Sequence, residues 1–303
     1  MAALVRTPKF QVWTSNSVVR ARRNEGHKST ETTSSVSVGG DRRVPVLDVA
    51  NVAVLYYGIA LDAQSLEKLD SDVAASEAAK APRTFKLDLN VVPNNNDEVY
   101  PEALCRAALF ARVVSLMQSR ANVKTEVIQC MGRMLDANVI PNFTSRSAAG
   151  IELVATITGA GGYCLTNGGI FSTASALSAA GISPLKLSDE EAVTLMKGHF
   201  LTTGAACLVA SGAANICTMT DCISSLSCDS FGAYMEPFDS VNFDVSRPHR
   251  GQITSANNLR LLLEGSKRTN TPPSDATPTA LKTFSSIPLV NGPASETIQA
   301  TIK

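Results

Sequence analysis

Apolar residues recur at helical spacing through much of the middle of the chain. In the stretch that begins at Pro101, Leu104 and Ala108 fall on one face, and proline suits a first helical position because it has no N–H to leave unpaired. Over residues 124–141 the apolar positions again form one stripe, and Pro141 ends the pattern. The two patterns predict two consecutive helices.

A third pattern, which begins at Ser188, is apolar on almost every face. Serine is typical of an N-cap, and the three acidic residues that follow it favour the positive end of the helix dipole. Polar residues interrupt the later part of the pattern too often for a membrane span, which needs about 20 predominantly apolar residues. We therefore predict a buried central helix over residues 189–217, without membrane insertion.

The two ends of the chain lack such periodicity. Residues 1–44 are rich in Ser, Thr and Arg, which predicts a basic disordered tail. Residues 267–303 carry five prolines among Thr, Ser and Asn, and each proline removes a backbone donor, which predicts a second irregular tail. The expected fold class is therefore all-α, with a helical domain over residues 45–266 between two irregular tails.

Composition narrows the possible functions. The 303 residues include 27 basic and 27 acidic side chains, so the chain has no overall field that would recruit nucleic acid. Its seven cysteines form no C-x-x-C pair and have no histidine at ligand spacing, which favours buried free thiols in a reducing compartment over a metal site. We expect a cytoplasmic protein, with mitochondrial import through the basic N-terminal segment as the alternative.

Four stretches in a fixed order carry a more specific signal. They are residues 120–143, 147–153, 176–198 and 238–266, and together they resemble the histidine and aromatic amino acid ammonia-lyase family. The resemblance covers roughly residues 46–266 and implies a helical domain that is similar to the N-terminal part of the family's fold. In the last stretch, the residues that match the family motif and that we assign to packing and assembly are Arg247, Pro248, His249, Gly251, Gln252, Asn258 and Arg260.

The resemblance implies an unusual electrophile. In the family, an Ala-Ser-Gly tripeptide cyclises into a methylidene-imidazolone: the glycine nitrogen attacks the alanine carbonyl, and the serine loses water. At the corresponding position this chain has Ala148, Ala149 and Gly150, so alanine replaces the serine that would supply the hydroxyl. A register shifted to residues 144–146 would place the side chain of Arg146 where glycine is needed. We therefore expect no methylidene-imidazolone cofactor.

Other positions of the family's site also differ. Where the resemblance implies a neutral asparagine, the chain has Lys197, which we expect to point into the former pocket and to be partly desolvated there. The family's Tyr-Gly-x-Asn-Thr-Gly loop, which supplies the catalytic base, has no counterpart in residues 81–103. We also expect the proline-rich segment 267–303 to stand in place of the family's C-terminal half.

A second Ala-Ser-Gly sequence occurs at Ala210, Ser211 and Gly212. It falls within the apolar helical pattern, where the backbone amides are committed to i to i−4 hydrogen bonds, so the attacking nitrogen cannot reach the carbonyl. We interpret these small residues as a site of close helix packing.

These observations predict a catalytically inactive ammonia-lyase-like protein that acts as a structural or regulatory subunit of a larger assembly. The alternative is a functional or split ammonia-lyase whose missing parts come from another chain. Because exposed apolar area is unfavourable, we expect the helix over residues 189–217 to be covered by a protein partner or a second copy. The chain's own C-terminal segment is the less favoured cover, and its anchors would be Leu281, Phe284, Ile287, Leu289 and Val290.

Overall fold

A computed structural model describes residues 34–40, 43–78, 99–119, 121–167, 169–246 and 249–302. Within these residues the helices α1 to α11 are, in chain order, Val46–Val54, Ala63–Ala78, Glu102–Gln118, Thr125–Asp136, Ala149–Thr158, Thr173–Ala179, Asp189–Met196, Phe200–Phe231, Arg250–Leu263, Pro278–Ser285 and Ile287–Ile302. The strands β1 to β5 are Ser35–Val38, Gly58–Leu61, Ile140–Pro141, Tyr163–Thr166 and Gly169–Ser172. Short 3-10 and π-helical turns, Glu236–Phe238 and Val241–Val245, precede α9. The predominance of helix confirms the predicted fold class.

The chain divides into two compact units. The first comprises the residues up to Arg43 together with Ala50–Gly198, and the second comprises Val44–Val49 together with His199–Lys303. The division falls after Gly198, inside the stretch that the sequence pattern assigned to one domain.

The first unit combines α3, α4 and α5 with two small sheets. Strands β1 and β2 pair in parallel, and β3, β4 and β5 form an antiparallel sheet. Strand β1 lies inside the predicted N-terminal tail, and its residues Val36 and Val38 are buried, which corrects the expected boundary at residue 44. The rest of that predicted tail, residues 1–33, lies outside the described residues.

Local sequence signals place several of these elements correctly. Pro101 is the N-cap of α3. The glycine-rich stretch between α5 and α6, whose composition indicates a turn or short hairpin leading into a small helix, forms the hairpin β4–β5 followed by α6. Ser188 caps α7: its hydroxyl accepts a hydrogen bond from the Glu191 amide, and the Glu191 carboxylate accepts one from the Ser188 amide. This capping box satisfies two backbone donors at the start of the helix.

A buried arginine links α3, the end of α4 and Val52 within the first unit. Arg106 on α3 is only 2% exposed, and its Nε donates to the carbonyl of Val52 on α1 at 2.7 Å. Its Nη1 donates to the carbonyl of Leu135 at 2.7 Å and to Oδ1 of Asn138 at 2.9 Å, and its guanidinium lies 4.9 Å from the centre of the Tyr56 ring. These bonds offset much of the cost of burying the charge.

The second unit is a helical assembly of α8, α9 and α11, with α10 packed at one end. Helices α10 and α11 form where the proline content predicted an irregular tail, so the structure corrects that expectation. Pro278 opens α10 next to its cap Thr277, and Pro288 is the second residue of α11; both positions lack an intrahelical N–H partner in any case. Of the prolines in α10 and α11, only Pro293 lies in the interior of a helix, beyond its first turn.

The long apolar pattern forms two helices rather than one. Helix α7 ends at Met196, Gly198 has a φ of 95°, and α8 begins at Phe200. Most of α8 is not buried in the described chain, so these residues do not themselves supply the burial that the apolar pattern predicts. By length and composition alone, the run Asp189–Phe231 is long and apolar enough to cross a membrane, and little of its apolar part is buried.

Candidate functional site

The residues that replace the family's tripeptide lie at the start of helix α5. Ala148 is the N-cap and has α-helical dihedral angles of −86° and −20°, and Ala149 and Gly150 form the first turn. The Ala148 carbonyl accepts a hydrogen bond from the amide of Glu152 at 2.9 Å, and the Ala149 amide donates to the carbonyl of Ser145 at 3.0 Å. These residues therefore form an ordinary helix start.

This geometry is unsuited to cyclisation. Ring closure requires the Gly150 nitrogen to reach the carbonyl carbon of Ala148, whereas a helical turn holds that carbonyl along the helix axis towards Glu152. Neither Ala148 nor Ala149 has a hydroxyl group to lose as water. Both the backbone conformation and the side chains at residues 148–150 therefore exclude formation of the methylidene-imidazolone ring.

The hydroxyl groups just before the helix are engaged in local hydrogen bonds. The Thr144 amide lies 3.1 Å from each carboxylate oxygen of Glu152, and the Thr144 hydroxyl donates to the same carboxylate. The Ser145 hydroxyl accepts from the Ala148 amide at 3.1 Å and lies 3.1 Å from the Ser147 hydroxyl. In the shifted register the third position is Arg146, whose side chain is exposed.

Sequence reasoning did not single out Glu152, which is the buried acid of this region. It is 5% exposed, and burial raises the pKa of its carboxyl, although the two hydrogen bonds from Thr144 oppose the rise. The available signal was a single acidic residue inside the apolar stretch of α5. The carboxylate fixes the loop that precedes the helix.

The structure brings the two altered segments of the family site together. A Cβ atom added to Gly150 would lie 2.8 Å from Cα of Met196, so α5 passes the end of α7 at close range. Lys197, the next residue, is exposed, so the prediction that it is desolvated in the former pocket was wrong. The buried cation here is Arg112, which donates to the carbonyl of Thr194, and burial lowers the pKa of its guanidinium.

The second Ala-Ser-Gly sequence lies in the interior of α8, as predicted. Ser211 is buried, whereas a Cβ atom added to Gly212 would have no neighbour within 4 Å. The helical backbone excludes cyclisation here too, but only one face of this stretch packs against other residues. The interpretation as a close-packing site therefore fits Ser211 and does not fit Gly212.

The family-motif residues 249–260 form the first part of α9. His249 is the exposed N-cap, and the Gly251 amide donates to the Glu296 carboxylate of α11 at 2.8 Å. Asn258 donates to the buried carboxylate of Asp221. The motif also includes the half-buried residues Gln252 and Arg260, and Arg260 donates to the Asn257 side chain. Arg247 and Pro248 lie outside the described residues.

The cysteines and acidic residues form no metal centre in the part of the chain that the structure describes. No group of three or more His, Cys, Asp or Glu side chains there could hold an ion, and the seven cysteines are free thiols. Four of them are buried, Cys207 and Cys217 are partly buried, and Cys222 is exposed, so the expectation of buried thiols holds only in part.

Comparison with known proteins agrees with the sequence motifs. The family model for aromatic amino acid lyases matches residues 56–303. Histidine ammonia-lyase 2 of Fusobacterium nucleatum is 32% identical over 180 residues, which are 57% of this chain and 35% of that protein. A tyrosine ammonia-lyase of Cupriavidus metallidurans is 30% identical over 171 residues, 54% of this chain and 32% of that protein. The chain spans about a third of the length of these curated relatives.

Solved structures show the same fold. Tyrosine aminomutase from Streptomyces globisporus has a TM-score of 0.70 at 22% identity, covering 87% of this chain and 59% of that one. Histidine ammonia-lyase from Trypanosoma cruzi has a TM-score of 0.71 at 18% identity, covering 88% and 55%.

The extent of the family match corrects one expectation. It continues through residues 267–303, so this segment belongs to the family's sequence and does not replace part of it. The ordered motifs, the fold and the match over most of the chain agree. The chain belongs to the aromatic amino acid lyase family.

Proposed function

We propose that this chain is a non-catalytic member of its family and acts as a structural or regulatory subunit of a larger assembly. The observation that carries the proposal is the helical backbone at residues 148–150, in which alanine occupies the position of the reactive serine. Without the methylidene-imidazolone, the family's elimination reaction has no electrophile.

The catalytic part of the proposal is tested by ammonia release. The purified full chain is incubated with histidine, tyrosine and phenylalanine, the amino acids in the names of related lyases. We expect no ammonia above that from a heat-denatured sample. Turnover of any of the three that scales with protein concentration overturns the proposal.

The assembly part of the proposal rests on one face of α8. Five apolar side chains there, which we call the α8 seam, are 60–72% exposed: Val209, Ile216, Met219, Ile223 and Leu226. Their spacing of seven, three, four and three residues is that of a heptad repeat, in which such a stripe packs against another helix. Contiguous apolar stripes of this kind are unusual on monomers and are typical of interfaces.

A second copy of this chain is the occupant that the seam fits best. Val209, Ile216 and Ile223 occupy one heptad position, and Met219 and Leu226 the other. Branched residues at the first position with leucine-like residues at the second favour two-stranded pairing. The opposite side of α8 carries Asp221 and already packs against α9 and α11 in the same unit. The seam is therefore the face left for self-association.

Sedimentation equilibrium with matched variants tests this interface. Leu226 and Leu261 are both 69% exposed, but only Leu226 lies in the α8 seam. We expect an oligomer for the wild type and for Leu261→Asp, and a shift towards monomer for Leu226→Asp. A soluble wild-type monomer at all concentrations contradicts the proposal, as does an equal effect of both variants. Flotation of the wild type with phosphatidylcholine vesicles, lost in Leu226→Asp, would assign the seam to a membrane instead.

A further inference from the structure

A small polar cavity lies between α8, α9 and α11 of the second unit, and it opens to solvent where Thr218, Thr254 and Gln299 are exposed. Its volume is about 140 Å³, similar to cavities of about 150 Å³ that hold a molecule of six heavy atoms. Hydroxyl, amide and carboxylate groups dominate the wall, including those of Thr218 from α8, Thr254 from α9, and Ser295 and Gln299 from α11. Polar cavities bind polar ligands or water, whereas apolar ones stay dry.

The carboxylate of Asp221 is the only formal charge among the described residues that line this cavity. The side chain is 6% exposed. Its Oδ1 accepts hydrogen bonds from the Ser255 hydroxyl at 2.7 Å and from Nδ2 of Asn291 at 2.9 Å, and its Oδ2 accepts one from Nδ2 of Asn258 at 2.9 Å. All three donors are neutral groups.

Neutral donors orient a buried carboxylate without cancelling its charge. Removing a carboxylate from water costs several kcal/mol, and only part of this is recovered by hydrogen bonds from hydroxyl and amide groups. Among the residues that the structure describes, no lysine, arginine or histidine lines the cavity to supply the opposite charge. Asp221 therefore provides a favourable electrostatic environment for a small cation.

The rest of the wall indicates which cation fits. Asn258 and Asn291 use their amide nitrogens on Asp221, so each keeps an amide oxygen that accepts hydrogen bonds, and the hydroxyl groups of the wall accept them too. A ligand with several N–H donors can form hydrogen bonds with these acceptor oxygens. The described residues contain no cluster of acidic, histidine or cysteine ligands for a metal, and a divalent ion prefers more than one carboxylate.

We propose that this cavity binds a small ammonium compound, either the ammonium ion or a short primary amine, through the Asp221 carboxylate and the surrounding acceptors. Such a ligand bridges α8, α9 and α11, and it stabilises the second unit by binding the folded state only. The site needs neither the family's electrophile nor self-association, so it goes beyond the proposed function.

Thermal unfolding of the full chain tests the site. Ammonium chloride and methylammonium chloride are titrated against potassium chloride and tetramethylammonium chloride at equal ionic strength. We expect a saturable rise in melting temperature of about 3 °C with the first two salts only. No rise with any salt overturns the proposal, and so does an equal rise with potassium or tetramethylammonium.

Three variants assign the effect to the cavity. Asp221→Asn removes the charge, and Ser295→Val places methyl groups in the cavity while leaving the three hydrogen bonds of Asp221 intact. Thr297→Val is the control, because Thr297 is exposed on the same helix outside the cavity. The rise in melting temperature is expected to disappear in the first two variants and to persist in the third. If Asp221→Asn does not fold, Ser295→Val decides, and a persistent rise there overturns the proposal.

Discussion

The crossing of α9 and α11 depends on two glycines, and Gly251→Ala tests it. A Cβ atom added to Gly251 would overlap the carbonyl oxygen of Gly292 and lie 2.8 Å from Cγ of Glu296. In the opposite direction, a Cβ atom added to Gly292 would lie 2.6 Å from the backbone nitrogen of Gln252. The contacts involve backbone atoms, which cannot move aside without separating the helices.

The magnitude follows from two opposing effects. Forcing a methyl group into a packed contact costs about 1–3 kcal/mol, and the upper end applies where the obstacle is backbone. Alanine in place of glycine favours a helix by up to about 1 kcal/mol, and less near the helix start, where Gly251 lies. We therefore expect Gly251→Ala to lower the free energy of unfolding by about 2 kcal/mol.

A matched control is available on α8. A Cβ atom added to Gly212 would have no neighbour within 4 Å, so Gly212→Ala introduces no steric clash. Because alanine favours the helix more than glycine does, this variant is expected to stabilise the chain by about 0.5–1 kcal/mol. Urea unfolding followed by circular dichroism measures both variants. If Gly251→Ala is as stable as the wild type, the close crossing of α9 and α11 is refuted.

Three further outcomes are expected. Burial raises the pKa of Glu152 above its ordinary value of 4.5, so ionisation opposes folding; the stability of the wild type relative to Glu152→Gln should fall as pH rises from 4.5 through the folded pKa, as urea unfolding at several pH values will show. A maleimide at pH 8 should label exposed Cys222 first and spare Cys164, whose pKa burial raises to about 11, until the chain unfolds. The double variant Lys197→Asn, Ala149→Ser should release no ammonia from histidine or tyrosine, and measurable release would show that the helical start of α5 does not prevent cyclisation.

Sequence patterns predicted the elements whose signals are local. The capping box at Ser188, the proline at the start of α3 and the glycine-rich hairpin each depend on residues within a few positions of one another. Residues 148–150 could also be identified from sequence as the altered tripeptide, because the motifs on both sides of them occur in the same order as in the family. Its helical conformation follows from hydrogen bonds within the same short stretch.

The features that sequence patterns did not predict depend on contacts between residues far apart in sequence. Helix α11 lies in a proline-rich stretch and packs against α9, where Gly292 meets Gly251, 41 positions earlier in the chain. The burial of Arg106 depends on carbonyl groups of α1 and α4, and the composition of α3 gives no sign of it. An apolar composition predicted burial for α8, but composition does not say whether the cover lies in the same chain.

The break between α7 and α8 shows a different limit. Apolar residues continue on both sides of it, so periodicity alone predicts one helix. The backbone turns at Gly198, whose φ of 95° is readily adopted only by glycine. A glycine inside an apolar helical pattern was the available signal, and it is ambiguous, because Gly212 lies in the uninterrupted helix α8.

The intact mass of the purified 303-residue chain tests the central claim most directly. Formation of the methylidene-imidazolone removes two molecules of water from the chain and adds an absorption band in the near ultraviolet. The helical start of α5 and the alanines at 148 and 149 predict the mass of the unmodified sequence and no such band. A mass lower by two waters, with the loss located in the peptide that contains residues 143–150, would contradict the account. It would show that the electrophile forms in this chain.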